Sequence, residues 1–405
     1  AHFVQSTVPH RATRGLKICD LTQFYSPVSG GVRRYIEQKS AFVRNVRTDC
    51  EHVIIVPGET TAQSGDDKVR VYTIASPLIS RTSRYRALTK LHLIEEVLER
   101  ERPDLIESGD PYQVAWKAVA SGRGLDIPVV GFYHSHFPEA YIRTVAKFFG
   151  RVAISITDDI CRKYVQALYN RFECTFVPSP VLARLLEEWG VERIHTVDLG
   201  VDAGVFIPDI PDRAATRARL EISDDARLLL YVGRLAQEKN VKTLFQAFAI
   251  LHARSPGKYH LLCVGDGTQR PSVVQLREKT GSVHWMPYCT DPHELAAIYR
   301  AADLFVHPGV QETFGLVALE SQASGTCVVG IRGSYMDRII FSDQELWAAE
   351  NSPAALADAI ESKFTLDLRS AGLKASSEAR GRYSWSTVFS RLFEIYARVV
   401  DGYSR

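Results

Sequence analysis

Residues 307 to 320 read HPGVQETFGLVALE, an apolar strand end leading to two glutamates, Glu312 and Glu320, eight positions apart, with a Phe-Gly pair between them. This pattern puts Glu312 in a strand-to-helix loop, the amides of Thr313, Phe314 and Gly315 at the first turn of the helix, and Glu320 two turns further along. A helix N-terminus offers unpaired N–H groups and the positive end of the macrodipole, so it suits a phosphate. Carboxylates cannot hold the phosphate, but on either side of a bound diphosphate each can accept hydrogen bonds from sugar hydroxyls. A nucleotide sugar fits that set better than a bare nucleotide. Taken singly, both residues are equally consistent with solvated acids, the state of most glutamates.

Residues 229 to 239 read LLYVGRLAQEK, so Gly233 and Arg234 end a strand and Lys239 begins the next loop or helix. Loops at the carboxyl ends of parallel strands face the crevice where ligands bind. Two cations there would neutralise a departing diphosphate, although a lone Gly-Arg also fits a turn followed by a surface cation. In FYSPVSGGVRRYIEQ, Gly30 and Gly31 separate a strand from a helix, where glycine lets the backbone approach a phosphate closely. The run VVGFYHSHFPEAY sets His134 and His136 just after an apolar strand. Alternate residues of an extended segment share one side, which admits a metal reading, but zinc needs a third ligand and no third Cys, His or Asp lies nearby in the chain. VHWMPYCTD offers Met286, Pro287 and Tyr288 either as a grip for a base or as a buried strand end. No D-x-D occurs between the halves; Asp158-Asp159 and Asp224-Asp225 read as a helix N-terminal turn and a loop.

The segment HP-x3-E-T-F-G-L-x3-E, with its E-x7-E spacing, resembles the pattern of glycosyltransferase family 4, and G-R-x4-K is similar to the position where that family holds donor phosphates. The resemblance runs over essentially residues 16 to 400. It implies an α/β chain of GT-B architecture, with two Rossmann-like doubly wound domains facing an interdomain cleft. The implied reaction moves a sugar from a nucleoside-diphosphate sugar to an acceptor with retained anomeric configuration, the leaving phosphate oxygen taking the acceptor proton. His134, Arg234, Lys239 and Glu312 become the catalytic set. Gly30, Gly31, Gly233, Met286, Tyr288, Thr313, Phe314, Gly315 and Glu320 fall to the donor, and Tyr25 and His136 to the acceptor. The resemblance implies no cofactor besides the nucleotide-sugar co-substrate, with UDP ahead of GDP or ADP, and no required metal. A nucleotide-sugar epimerase on the same architecture and a non-enzymatic sugar-nucleotide module are the alternative readings.

FYHSHFPEAYI is also similar to the corresponding strand end of glycolipid-forming members such as sulfoquinovosyldiacylglycerol synthases. Residues 81 to 93, RTSRYRALTKLHL, interleave Arg81, Arg84, Arg86 and Lys90 with apolar side chains. Such a segment can rest on an anionic membrane, or it can be an ordinary solvated helix face. The expectation is a peripheral enzyme at the cytoplasmic face of the membrane with a lipid acceptor; a soluble sugar, polyol or sugar phosphate is the alternative acceptor.

These residues need a scaffold that brings strand ends together, and the chain supplies one. Short Val- and Ile-rich runs alternate with helical patterns, the signature of parallel β-α-β construction. Strands are expected at 16–21, 52–57, 69–74, 104–107, 127–133, 152–157, 175–178 and 194–198, then at 227–233, 259–265, 283–286, 303–307 and 326–331. Over 405 residues this gives an unstructured lead (1–15), an N-terminal acceptor domain (16–203), a donor domain (204–385) and a C-terminal helix (386–405) that crosses back. The net charge of +2 argues against nucleic acid as a bulk electrostatic partner. Seven scattered cysteines without C-x-x-C spacing read as free thiols of a reducing compartment.

Overall fold

The structure is a computed structural model and describes residues 15–25, 31–79, 84–134, 159–310, 314–334, 336, 338–341 and 343–403. It divides into two compact units, Leu199–Thr387 and the remainder on either side of it. The division falls between Asp198 and Leu199 rather than at 203/204, and the chain rejoins the first unit at Val388 rather than at 386. The expected lead through residue 14 and the expected strand at 152–157 lie outside the described residues.

Among the described residues of the first unit eight strands form one sheet: β1 (Lys17–Leu21), β2 (Glu51–Gly58), β3 (Ala62–Gly65), β4 (Val69–Ala75), β5 (Leu105–Ser108), β6 (Val129–Phe132), β7 (Thr175–Val177) and β8 (Ile194–Thr196). Their order is β3-β4-β2-β1-β5-β6-β7-β8, parallel throughout except for β3 against β4. Strands such as HVIIVP in β2 are apolar without alternation because both faces are buried. Helices α1 (Gly31–Asn45), α2 (Leu91–Glu101), α3 (Gln113–Leu125), α4 (helical residues 159–169) and α5 (Pro180–Glu188) connect the strands. Strand order reverses at β1, between β2 and β5, and in such sheets ligands bind beyond the carboxyl ends at that switch point.

The second unit has a five-stranded parallel sheet of β9 (Arg227–Val232), β10 (Tyr259–Val264), β11 (Val283–Met286), β12 (Leu304–Val306) and β13 (Cys327–Val329). Its order is β11-β10-β9-β12-β13, with the switch point between β9 and β12. Around it lie α6 (Arg213–Arg219), α7 (Val241–Arg254), α8 (Arg270–Thr280), α9 (Pro292–Ala301), α10 (Leu316–Ala323), α11 (Pro353–Lys363) and α12 (Leu368–Tyr383). In α7 the buried stripe Val241, Leu244, Phe245, Phe248 and Leu251 follows the helical repeat of its sequence.

The last helix, α13 (Trp385–Tyr403), buries Val388, Phe389, Leu392, Phe393 and Tyr396. Phe389 and Phe393 lie 5.6 and 5.3 Å from the Phe42 ring of α1. Among the described residues no helix is long and apolar enough to cross a membrane. All seven cysteines are free thiols, and only Cys289 is not fully buried.

Candidate functional site

At the second unit's switch point the backbone itself does the positioning. Gly233 follows β9 with φ +152°, and Gly265 follows β10 with φ +135°. A Cβ on Gly265 would stand 2.1 Å from the Gly233 carbonyl oxygen, so the two loops cross at a distance only glycine permits. Backbone bonds fix the crossing: Gly233 N donates to Val264 O, Leu235 N to Asp266 O and Gln269 N to Leu235 O. Arg234 is therefore held at the sheet edge by its own backbone, while its side chain, 70% exposed, extends outward against Glu238 at 2.9 Å. Lys239 closes a short 3-10 turn (Gln237–Lys239) just ahead of α7.

Asn240 precedes α7 in the left-handed conformation, φ 56°, and does not cap the helix with its side chain. Its amide nitrogen instead donates to Pro308 O at 2.9 Å and to Asn351 Oδ1 at 2.8 Å. It thereby ties the loop carrying Arg234 and Lys239 to the one that follows β12. No sequence signal distinguishes this bridge from a cap, since both use the same short amide.

After β12 the chain runs through His307 and Pro308; Glu312 and Thr313 lie outside the described residues. Helix α10 opens three residues later than its sequence suggests, at Leu316, with Gly315 as the capping residue at φ 81°. Met336 packs where a Gly315 side chain would be, its methyl 2.3 Å from the Cβ position. Phe314 consequently precedes the cap, its ring buried and edge-on to Tyr383 at 6.2 Å. The first-turn amides are those of Leu316 and Val317, because Ala318 N and Leu319 N already donate to Gly315 O. Glu320 is not a solvated acid: it is buried and accepts a hydrogen bond from Tyr299 of α9 at 3.1 Å. Met286 ends β11 with its carbonyl accepting from Gly265 N, and Tyr288 beyond it is 53% exposed.

The first unit's switch point is built from charged side chains. A pocket beyond β1 and β5 is lined by Asp20, Thr22, Tyr35, Glu107, Gly109 and His134, among others. Beneath it Lys39 of α1 is wholly buried. Its ammonium donates to Asp20 at 2.9 Å, Glu107 at 3.0 Å and the Tyr396 hydroxyl at 3.0 Å. All three donors are used, which offsets the cost of removing the charge from water. His52 Nε2 lies 2.6 Å from the other Asp20 oxygen, and Tyr396 also donates to Glu107. Burial pushes the Glu107 carboxyl up, while Lys39 and His52 hold Asp20 well below the usual carboxylate range. Sequence reasoning passed over this cluster because charged residues are presumed to be solvated. The available signal was Lys39 on the same helical stripe as Tyr35, Ile36, Phe42 and Val43.

His134 sits at the end of β6, its ring stacked on Phe132 at 4.0 Å and edge-on to Tyr35 at 5.1 Å. Burial pushes its imidazole down to about 3, with the Lys39 charge adding to the effect, so it is neutral near pH 7. Asp110, just past β5, accepts from Gln23 N at 2.9 Å and Tyr112 N at 3.1 Å, and burial pushes its carboxyl up to about 6. Gly31 opens α1 where a Cβ would meet nothing within 4 Å among the described residues. Tyr25 lies under the Arg33 guanidinium at 5.9 Å. Gly30 and His136 lie outside the described residues. No group of three or more His, Cys, Asp or Glu able to hold a metal ion occurs among the described residues.

The basic segment differs from a helical face. Residues 84–90 precede α2 without helical structure, and Leu78 pairs with Arg86 in an isolated antiparallel bridge; Arg81 lies outside the described residues. Arg86 is occupied by Glu59 at 2.7 Å and Ser76 O at 2.8 Å, and Leu88 is fully buried. Arg84 and Lys90 remain exposed, close in sequence to Leu78 and Ile79, which are 45% and 64% exposed.

Two family models match this chain. "Glycosyltransferase Family 4" covers residues 29–205 and "Glycosyl transferases group 1" residues 212–377. The GDP-mannose-dependent alpha-(1-6)-phosphatidylinositol dimannoside mannosyltransferase of Mycobacterium tuberculosis is 29% identical over 85% of this chain and 87% of that one. Alpha-monoglucosyldiacylglycerol synthase of Streptococcus pneumoniae is 27% identical over 69% and 62%. In structure, sucrose-phosphate synthase of Thermosynechococcus elongatus matches with a TM-score of 0.72, at 19% identity, over 96% of this chain and all of that one. Two Rossmann-like units with these switch points give the chain the GT-B fold. The chain belongs to glycosyltransferase family 4 and is a retaining, nucleotide-sugar-dependent transferase. The expectation of UDP ahead of GDP finds no support, since the Mycobacterium relative is named for GDP-mannose.

Proposed function

We propose that the donor is a GDP-hexose, GDP-mannose foremost, and that the acceptor is a membrane glycolipid or lipid hydroxyl. The named activities of the relatives support this, with a phosphatidylinositol mannoside in one case and a diacylglycerol in the other. The observation that carries the site assignment is the Gly233–Gly265 crossing, which holds the Arg234 backbone at the switch-point edge and leaves its side chain in an exposed ion pair with Glu238, with Lys239 five residues further on. There they take up the negative charge that develops on the departing diphosphate. The amides opening α10 serve the same group. Glu320, steadied by Tyr299, and Glu312 are assigned to donor hydroxyls, with Met286 and Tyr288 toward the base and Gly31 beside the phosphates.

In the reaction so assigned, the bond from the anomeric carbon to the phosphate oxygen breaks and its electron pair stays on the phosphate. The acceptor oxygen bonds to the same face of the sugar and its proton passes to that phosphate oxygen. His134, neutral, offers one hydrogen-bond donor and one acceptor to sugar hydroxyls. Arg84 and Lys90 with Leu78 and Ile79 are assigned to a peripheral membrane contact, pairing cations for anionic headgroups with apolar side chains for the acyl boundary.

Melting curves with GDP-, UDP- and ADP-sugars test the donor, because a ligand that binds the folded state raises the transition. GDP-mannose is expected to give the largest shift and to be hydrolysed. A larger shift with a UDP-sugar would reject the guanine assignment and leave the transferase chemistry standing.

A further inference from the structure

We infer that Tyr35 is a positioning residue for His134, and that the C-terminal helix takes part in this positioning through Tyr396. The inference rests on the proposed role of His134 at the sugar.

Among the described residues no side chain hydrogen-bonds the His134 imidazole, so its placement is left to ring contacts. Phe132 lies parallel to it, 11° between planes, and holds it along one direction only. Stacked rings can still slide. Gly109 closes one side, where a Cβ would stand 3.6 Å from His134 Cδ2. Tyr35 closes another, edge-on at 70°. The position of the Tyr35 ring therefore sets how far the imidazole can slide on Phe132.

Tyr35 is itself pinned from several directions. Its hydroxyl donates to Glu107 at 3.0 Å, and the Lys39 ammonium lies over its ring at 4.4 Å. Phe132 and Phe389 flank it at 4.9 and 5.5 Å. Glu107 in turn is gripped through Oε1 by Tyr35 and Lys39, and through Oε2 by Tyr396 of α13. Contact thus runs from α13 through Tyr396, Glu107 and Tyr35 to His134. A buried ionic cluster is a poor means of gaining stability, since apolar side chains of similar volume often do as well. A fully satisfied polar network does fix one geometry. At a reacting centre a displacement of about 1 Å can cost about a hundredfold in rate.

The test compares Tyr35→Leu, Tyr35→Phe and Tyr396→Phe in the wild-type chain and in the His134→Ala chain. It reads kcat and donor KM from nucleoside-diphosphate release with the donor the panel identifies, alongside Tm. Tyr35→Leu is expected to lower kcat about tenfold with donor KM little changed, a part of the loss a 1 Å displacement allows. Tyr35→Phe, which keeps the ring, should recover most of that, and Tyr396→Phe should cost a few-fold. All three losses should disappear in the His134→Ala background. Equal losses in both backgrounds, or full activity in Tyr35→Leu, would overturn the inference. Should Tyr35→Leu not fold, Tyr396→Phe decides: a loss confined to the His134 background supports the inference, and an equal loss or none overturns it. Full activity in His134→Ala alone would instead remove the assignment of His134, and the inference with it.

Discussion

The two switch points solve the same task with different materials. In the second unit, glycine-enabled backbone crossings hold the edge, and Arg234 stays exposed with Lys239 half-buried beside it. In the first unit the edge rests on Lys39, Asp20, Glu107 and Tyr396, charged and polar groups sunk into the core. On the proposed assignment, Arg234, the cation meant for charge neutralisation, sits in an exposed ion pair outside the core. A site that must aim a neutral ring uses interior bonding to do so. Function and stability should therefore separate in the second unit and remain coupled in the first.

The largest expected effect comes from Lys39→Met, which leaves two buried carboxylates without their cation. Removing one partner of a buried ionic set typically costs about 3–5 kcal/mol. Urea unfolding followed by circular dichroism should show a clear fall in midpoint, and an unchanged midpoint would mean that the cluster is not what holds this edge.

Arg234→Ala and Lys239→Ala sharpen the contrast from the other side. Each should lower kcat by an amount equivalent to about 3–4 kcal/mol of barrier, as for preorganised charge contacts elsewhere. The Arg234–Glu238 pair is exposed and contributes little to stability, so the unfolding midpoint should stay within about 0.5 kcal/mol of wild type. A stability loss as large as that of Lys39→Met would erase the distinction between the units.

The smallest effect is a pH dependence peculiar to the first unit. Burial raises the Asp110 carboxyl from 3.8 to about 6, so between these values the folded chain binds more protons than the unfolded one. The stability it contributes is fully present below pH 3.8 and is lost as pH rises through about 6. Asp110→Asn keeps an oxygen for only one of the Gln23 and Tyr112 amides, a loss that does not vary with pH, and does not titrate. Relative to wild type it should gain stability from pH 4 to pH 7, by at most about 3 kcal/mol at 1.36 kcal/mol per pKa unit. Parallel stability–pH curves for the two proteins would show that Asp110 is not strained by burial.

How much could be read in advance follows the physics of each element. The parallel strands were legible because a strand buried on both faces must be apolar, as in LLLYV of β9 and LLCV of β10. β3, AQSG, was not, being polar, exposed and only four residues long. Gly233 at the end of β9 was legible because glycine at a strand end has few other uses, whereas Gly315 was read into the first turn of α10 and proved to be its cap. The depth of Glu320, the diversion of Arg86 to Glu59 and the left-handed turn at Asn240 were not legible. Each depends on a neighbour 21, 27 or 68 residues away in the chain: Tyr299, Glu59 and Pro308.

By itself the sequence determined the α/β class, the alternation of strand and helix, and the residue types available at each strand end, since hydrophobic period and glycine placement are local properties. Only the tertiary structure decided the strand orders and, with them, which strand ends meet at a switch point. It also decided which charges are buried. Lys39 is a cation in sequence; it becomes a core residue because Asp20 on β1, Glu107 on β5 and Tyr396 on α13 converge on it, and only folding brings 19, 68 and 357 residues of separation to within 3.0 Å.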